Sequence, residues 1–126
     1  MISVRIAEFI HNRLIDEFGG SKGIRDIALL EAALARPYAS FDQVDLYPTA
    51  IEKASAIFES LIINHPFIDG NKRIAYTLMR LMLLDGGFDI DIDQQEKHTI
   101  TIKASTGEIK FDEIKDWIQS KVIILK

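Results

Sequence analysis

The segment His65-Pro66-Phe67-Ile68-Asp69-Gly70-Asn71-Lys72-Arg73 places an imidazole, a carboxylate, a Gly-Asn turn and two cations in nine consecutive residues. Pro66 disfavours a helical conformation at His65, and Gly70-Asn71 tolerate left-handed backbone angles, so the segment reads as a loop. From Asn71 onward Ile74, Ala75, Leu78, Leu81 and Met82 fall on one helical stripe. The loop therefore delivers its last residues to a helix N-terminus. Lys72 and Arg73 in that first turn oppose the positive end of the helix dipole, at a cost of roughly 0.3–1 kcal/mol each when exposed. An anion offsets this cost, and phosphate suits the convergence of N–H donors, dipole and two cations. Asp69 beside it is a hard oxygen ligand of the kind that holds Mg²⁺ together with substrate phosphates. His65 can take a proton near neutral pH. Base, metal ligand and phosphate cradle together predict phosphoryl or nucleotidyl transfer.

Each residue also has a plainer role. His65 alone could be an exposed turn histidine, Asp69 a helix cap, and Lys72 and Arg73 a solvated face. Phe67, between a proline and an aspartate two places on, is expected to anchor the loop in the core, and Asn71 to shape it. Arg80, two turns further on, reads as a surface residue. His11 and His98 have no partners visible in sequence and read as structural, and Trp117 reads as core by its helical spacing.

The elements that must position these groups follow from periodicity and caps. Val4, Ile6, Ala7, Ile10, Leu14 and Phe18 make an amphipathic helix over about residues 3–17, ended by Gly19-Gly20. Asp26 caps a second helix, Ile27 to Ala35, that stops before Pro37. Pro37 to Pro48 has little periodicity and reads as a long loop of the kind that is often functional. Thr49 and Glu52 form a capping box for a third helix, Ala50 to Asn64, with Ala54, Ile57, Phe58, Leu61 and Ile62 inward. The helix after the loop runs to Asp85 and stops at Gly86-Gly87. A fifth helix starts after Asp93 and takes in residues 98–102, whose alternation has no partner strand. A sixth covers about Phe111 to Lys121, with Ile114, Trp117 and Ile118 buried. The expected fold is all-α: a single domain over residues 1–126, a bundle of about six helices with the motif loop between its two central ones.

At 126 residues the chain can bury roughly two-thirds of its unfolded surface without staples. With no cysteine it has no disulfide and no thiolate metal site, as in a reducing compartment. There is no apolar run of spanning length and no signal-peptide pattern, so a soluble, cytoplasmic protein with no membrane partner is expected. The net charge of −4 argues against direct nucleic-acid binding.

The loop residues carry a resemblance to the Fic/Doc family, and within it to the Doc (death-on-curing) branch. The family pattern His-x-Phe-x-(Asp/Glu/Asn)-(Gly/Ala)-Asn-(Gly or Lys)-Arg is filled at every place by His65, Phe67, Asp69, Gly70, Asn71, Lys72 and Arg73. Gly23-Ile24-Arg25-Asp26, Leu29-Leu30-Glu31, Ala35-Arg36-Pro37, Tyr47-Pro48 and Trp117-Ile118 extend the resemblance over nearly the whole chain. It implies that ATP is the substrate and Mg²⁺ the cofactor, with Asp69 as metal ligand. It further implies His65, Asp69, Lys72 and Arg73 as catalytic, Gly70, Asn71, Lys72 and Arg73 as the nucleotide-phosphate cradle, and residues 37–48 as a flap for a target peptide.

Members that transfer AMP usually carry Gly where this chain has Lys72, and a second arginine where it has Tyr76. The Doc branch shares Asn-Lys-Arg, binds ATP in a reversed sense and passes the γ-phosphate to a threonine of elongation factor Tu, halting translation. The resemblance thus implies a toxin of a toxin–antitoxin module. No inhibitory (Ser/Thr)-x-x-x-Glu-(Gly/Asn) helix is found, since Ser105 is followed four places on by Ile109. A separate Phd-like antitoxin, whose disordered tail folds on binding, is the implied partner. An AMP transferase and a catalytically idle binding module of the same fold are the alternatives.

Overall fold

The computed structural model describes residues 1–126. Six helices form in chain order: α1 (Val4–Phe18), α2 (Ile27–Ala35), α3 (Ala50–Asn64), α4 (Asn71–Asp85), α5 (Gln94–Ser105) and α6 (Phe111–Lys121). The caps lie where side-chain chemistry puts them. The hydroxyl of Ser3 accepts from the N–H of Ile6. The Asp26 carboxylate accepts from Leu29, and Thr49 with Glu52 closes the capping box of α3.

The centre of the fold is the α3–α4 pair. α3 is buried almost all round, with Ala54, Ile57, Phe58, Leu61 and Ile62 between fully and nearly fully covered. Ile74, Ala75, Leu78, Met79 and Leu83 of α4 meet it, α1 and α2 flank the pair, and Ile100, Ala104, Ile114 and Ile118 close the core from α5 and α6. Burying a side chain of Leu or Ile size contributes roughly 1.5–3 kcal/mol, so this pair contributes a large share of the fold's stability and sets where the loop joining its members begins and ends.

Three local features differ from the sequence reading. Residues 37–48 are not a plain loop. After a 3₁₀ turn at Arg36–Tyr38, strands β1 (Ser40–Phe41) and β2 (Val44–Asp45) pair as an antiparallel hairpin, with Asp42 and Gln43 both at positive φ in its turn. Two residues per strand are too few for periodicity to register. A second two-stranded sheet pairs β3 (Phe88–Ile90) with β4 (Val122–Ile124), a contact 34 residues apart that no local pattern announces. The apolar stripes also shift. Ile6 and Phe18 of α1 are about half exposed, Leu81 is partly exposed, and Trp117 is only partly buried, whereas Ala7, His11 and Ile15 form the buried face of α1. With two minimal sheets beside six helices, the fold is helical as expected.

Candidate functional site

His65 ends α3 in a left-handed conformation, φ 47° and ψ 55°. Such angles are uncommon outside glycine, and the surroundings hold them in place. The Arg25 guanidinium donates through Nε to the His65 carbonyl and through Nη2 to the Asn64 carbonyl, both at 2.7 Å. Two carbonyls at the C-terminus of α3 thereby gain a charged partner, and the exposed imidazole of His65 is left free.

The next residues are held as a strand would be. Phe67 bridges antiparallel to Ile24, Pro66 O accepts from the N–H groups of Arg25 and Asp26, and Ile68 N donates to Gly23 O. The Asn71 side chain reaches back to Phe67, with Oδ1 accepting from its N–H at 2.9 Å and Nδ2 donating to its carbonyl at 3.0 Å. Phe67 itself is 1% exposed and faces the core.

A second anchor comes from α1. His11 is 1% exposed, lies flat on the Phe67 ring (3.9 Å between centroids, 9° between planes) and donates from Nε2–H to the Asp69 carbonyl at 2.6 Å. A carbonyl can only accept, which fixes the proton on Nε2. Gly70 follows at φ 73°, and a β-carbon there would lie 3.2 Å from Ile15 Cδ1 and 3.4 Å from His11 Nε2. A side chain at this position is strained by the angle and requires Ile15 and His11 to give way slightly, so glycine fits best.

Asp69 points its carboxylate outward. Oδ1 accepts from the N–H of Gly70 (2.8 Å) and Oδ2 from that of Ser21 (3.1 Å). Each oxygen keeps a lone pair. No cluster of three or more His, Cys, Asp or Glu surrounds it. A cation at Asp69 would therefore have one protein carboxylate and complete its shell from phosphate and water, the usual habit of Mg²⁺.

α4 begins at Asn71 without a side-chain cap, so its leading N–H groups face outward. Lys72 and Arg73 in this turn form no ion pair. The Arg73 guanidinium instead rests on the Phe18 ring, 4.4 Å from its centre. His65, Asp69, Gly70, Asn71, Lys72 and Arg73 line one open concavity of about 390 Å³. Of the seven candidate site residues named from the sequence, all but Phe67 meet there, and Phe67 supports the loop from beneath. Arg80 is a surface residue that makes a two-pronged ion pair with Asp89, at 2.8 and 3.0 Å.

The hairpin that follows the 3₁₀ turn is anchored by Arg36. Its guanidinium donates to Tyr47 Oη (3.1 Å), Glu59 (2.8 Å) and Ser60 (3.0 Å) and lies over the Tyr47 and Phe111 rings. Burial opposes its charge, but the bonds it donates to Tyr47 and Glu59 outweigh that and raise its pKa above the ordinary value. Phe41, Val44 and Leu46 of the hairpin are exposed.

Sequence reasoning read His11 as structural without its partners and did not find Arg25. His11 had a readable signal, because it falls four residues after Ala7 and four before Ile15 on the buried stripe. Arg25, 40 residues from His65, had none.

A family model described as Fic/DOC family matches residues 2–83. The chain is 42% identical over 83 residues to a protein named Toxin Doc from Mycolicibacterium smegmatis, covering 63% of this chain and 64% of that one. It is 28% identical over 113 residues to a protein named Protein kinase doc from Escherichia phage P1, covering 87% of this chain and 86% of that one. The chain thus spans just under two thirds of the length of the mycobacterial relative.

Proposed function

The chain belongs to the Fic/Doc family, and from that premise we propose that it is a Doc-like toxin that transfers the γ-phosphate of ATP to a threonine hydroxyl of a translation factor. Elongation factor Tu is the expected target, and a Phd-like antitoxin the expected partner. The names of two relatives, one a toxin and one a protein kinase, support the toxin and transferase parts of this reading. The observation that carries it is the uncapped first turn of α4, where the unpaired Lys72 and Arg73 share a concavity with His65 and Asp69.

In this reading the hydroxyl oxygen attacks the γ-phosphorus, the bond to the bridging oxygen breaks, and ADP leaves with the electron pair. The His65 ring accepts the hydroxyl proton, a contribution of about 10²–10⁴-fold. Its backbone is gripped by Arg25 while its ring is free, so it can meet a substrate without disturbing the loop. The N–H groups of the α4 first turn, with Lys72 and Arg73, stabilise charge spread over the transferring group. Asp69 would hold Mg²⁺, which neutralises charge on the phosphates when bound. The exposed edge of the β1–β2 hairpin is suited to hold the target segment.

The test is transfer to purified elongation factor Tu with Mg²⁺ and ATP labelled at either the α- or the γ-phosphate. Label from γ alone is expected. Label from α would make the protein an AMP transferase, and no label on the factor or on any protein of a whole lysate would favour an idle fold.

A further inference from the structure

A second concavity of about 270 Å³ opens beside the first, between α1, α4 and the start of α5, and Arg73 lines both. Three cations face it: Arg73, Arg80 and Lys97. No carboxylate is among its lining residues, in a chain with 19 acidic against 15 basic side chains. Arg80 is neutralised by Asp89, but Arg73 and Lys97 form no ion pair and each rests on an aromatic ring. The Arg73 guanidinium lies 4.4 Å from the centre of Phe18, and the Lys97 ammonium 4.3 Å from that of Tyr76.

The geometry points to this concavity as the subsite for the ADP portion of the nucleotide, with Lys97 and Arg73 on its phosphates and the exposed Phe18 beside the nucleoside. This rests on the phosphotransfer reading. When the γ-phosphate sits at the α4 N-terminus beside His65, the remaining diphosphate and nucleoside must lead out of that concavity. On the Arg73 side they enter one whose charge and walls match them. Arg73 and Thr77 stand four residues apart on α4, about 6 Å along its axis, a span a polyphosphate chain can bridge. Anion binding would also relieve a local cost, because burial, and then the charges of Arg73 and Arg80, push the Lys97 ammonium below the usual lysine range. The exposed Phe18 ring offers stacking that is tolerant of base identity. The leaving ADP gains charge on its terminal phosphate as the γ-bond breaks, and Arg73, on the border of the two concavities, faces both sides of that bond.

The test is calorimetric binding of ADP, inorganic triphosphate and adenosine to the wild type, Lys97→Gln and Phe18→Ala, with initial rates of phosphotransfer at varied ATP. Phe18 is 56% exposed, so its truncation leaves the core intact even if Lys97→Gln perturbs packing. Lys97→Gln is expected to weaken ADP and triphosphate by roughly tenfold and to raise KM for ATP, with kcat little changed. Phe18→Ala is expected to weaken ADP and adenosine roughly fivefold while sparing triphosphate. If the wild type binds ADP and transfers phosphate but both variants match it, the subsite is wrong and the phosphotransfer reading stands. A wild type that binds neither ATP nor ADP overturns both.

Discussion

Replacing His11 by Phe tests whether the loop is held from α1. The ring stacks on Phe67 and its Nε2–H meets the Asp69 carbonyl at 2.6 Å. Phenylalanine can keep the stack, worth about 0.5–1.5 kcal/mol, while it replaces the donor with a ring C–H that the carbonyl must move away from. The Asp69 carbonyl then loses its partner in a part-buried site, a loss of about 1–3 kcal/mol. For a chain of this size that corresponds to a fall in Tm of very roughly 5–10 °C. His11→Ala would lose the stack as well and leave a cavity, costing about 3 kcal/mol or more.

The functional consequence should exceed the stability loss. Asp69 and the first turn of α4 are adjacent to the lost bond, and a displacement of about 1 Å at a reacting group can cost on the order of 10²-fold in rate. His11→Gln, whose amide nitrogen can donate from a similar position, should restore part of both. The assay pairs thermal unfolding followed by circular dichroism with γ-phosphate transfer at a temperature where every variant is folded. If His11→Phe melts and transfers like the wild type, or if His11→Gln is no better than His11→Phe, the anchoring argument fails.

Four further outcomes follow from the site. His65→Asn, chosen because asparagine tolerates the left-handed angles found there, should fold normally and bind ATP yet lose transfer by about 10²–10⁴-fold; full activity would remove His65 from the chemistry. Asp69→Asn, whose single side-chain oxygen can accept from Gly70 or from Ser21 but not from both, should weaken the Mg²⁺ dependence of ATP binding, read by titrating the metal. Gly70→Ala should destabilise by about 1–3 kcal/mol through its positive φ and the contact with Ile15 and His11, measured by urea unfolding. Asp89 is held below the usual carboxylate range by its hydrogen bond from Arg80. Its contribution is therefore present above its unfolded pKa of about 3.9 and is lost as pH falls through the lower folded value. Tm curves of wild type and Asp89→Asn should differ by at most about 1 kcal/mol at neutral pH and converge in acid.

What was legible in the sequence was whatever local chemistry decides. Helix ends at Asp26, Thr49, Gly19 and Gly86 followed from capping residues whose partners lie within four positions, and the structure places them there. The candidate site residues were legible for the same reason, since all seven lie on one loop and the first turn of one helix, and six of them line one concavity. The β3–β4 pair was not, because its partners lie 34 residues apart and each strand is three residues long. Nor was the grip of Arg25 on His65, made across 40 positions.

That division bears on how the site works. The loop has few apolar residues of its own to hold its shape, with only Pro66 and Phe67 buried between His65 and Arg73. Its conformation is imposed by the α1 histidine, the Arg25 clamp and the backbone pairing at residues 23–26. All three lie N-terminal to the loop, between residues 11 and 26. Changes in this short stretch should therefore alter activity before they alter the α3–α4 core, which packs through other residues.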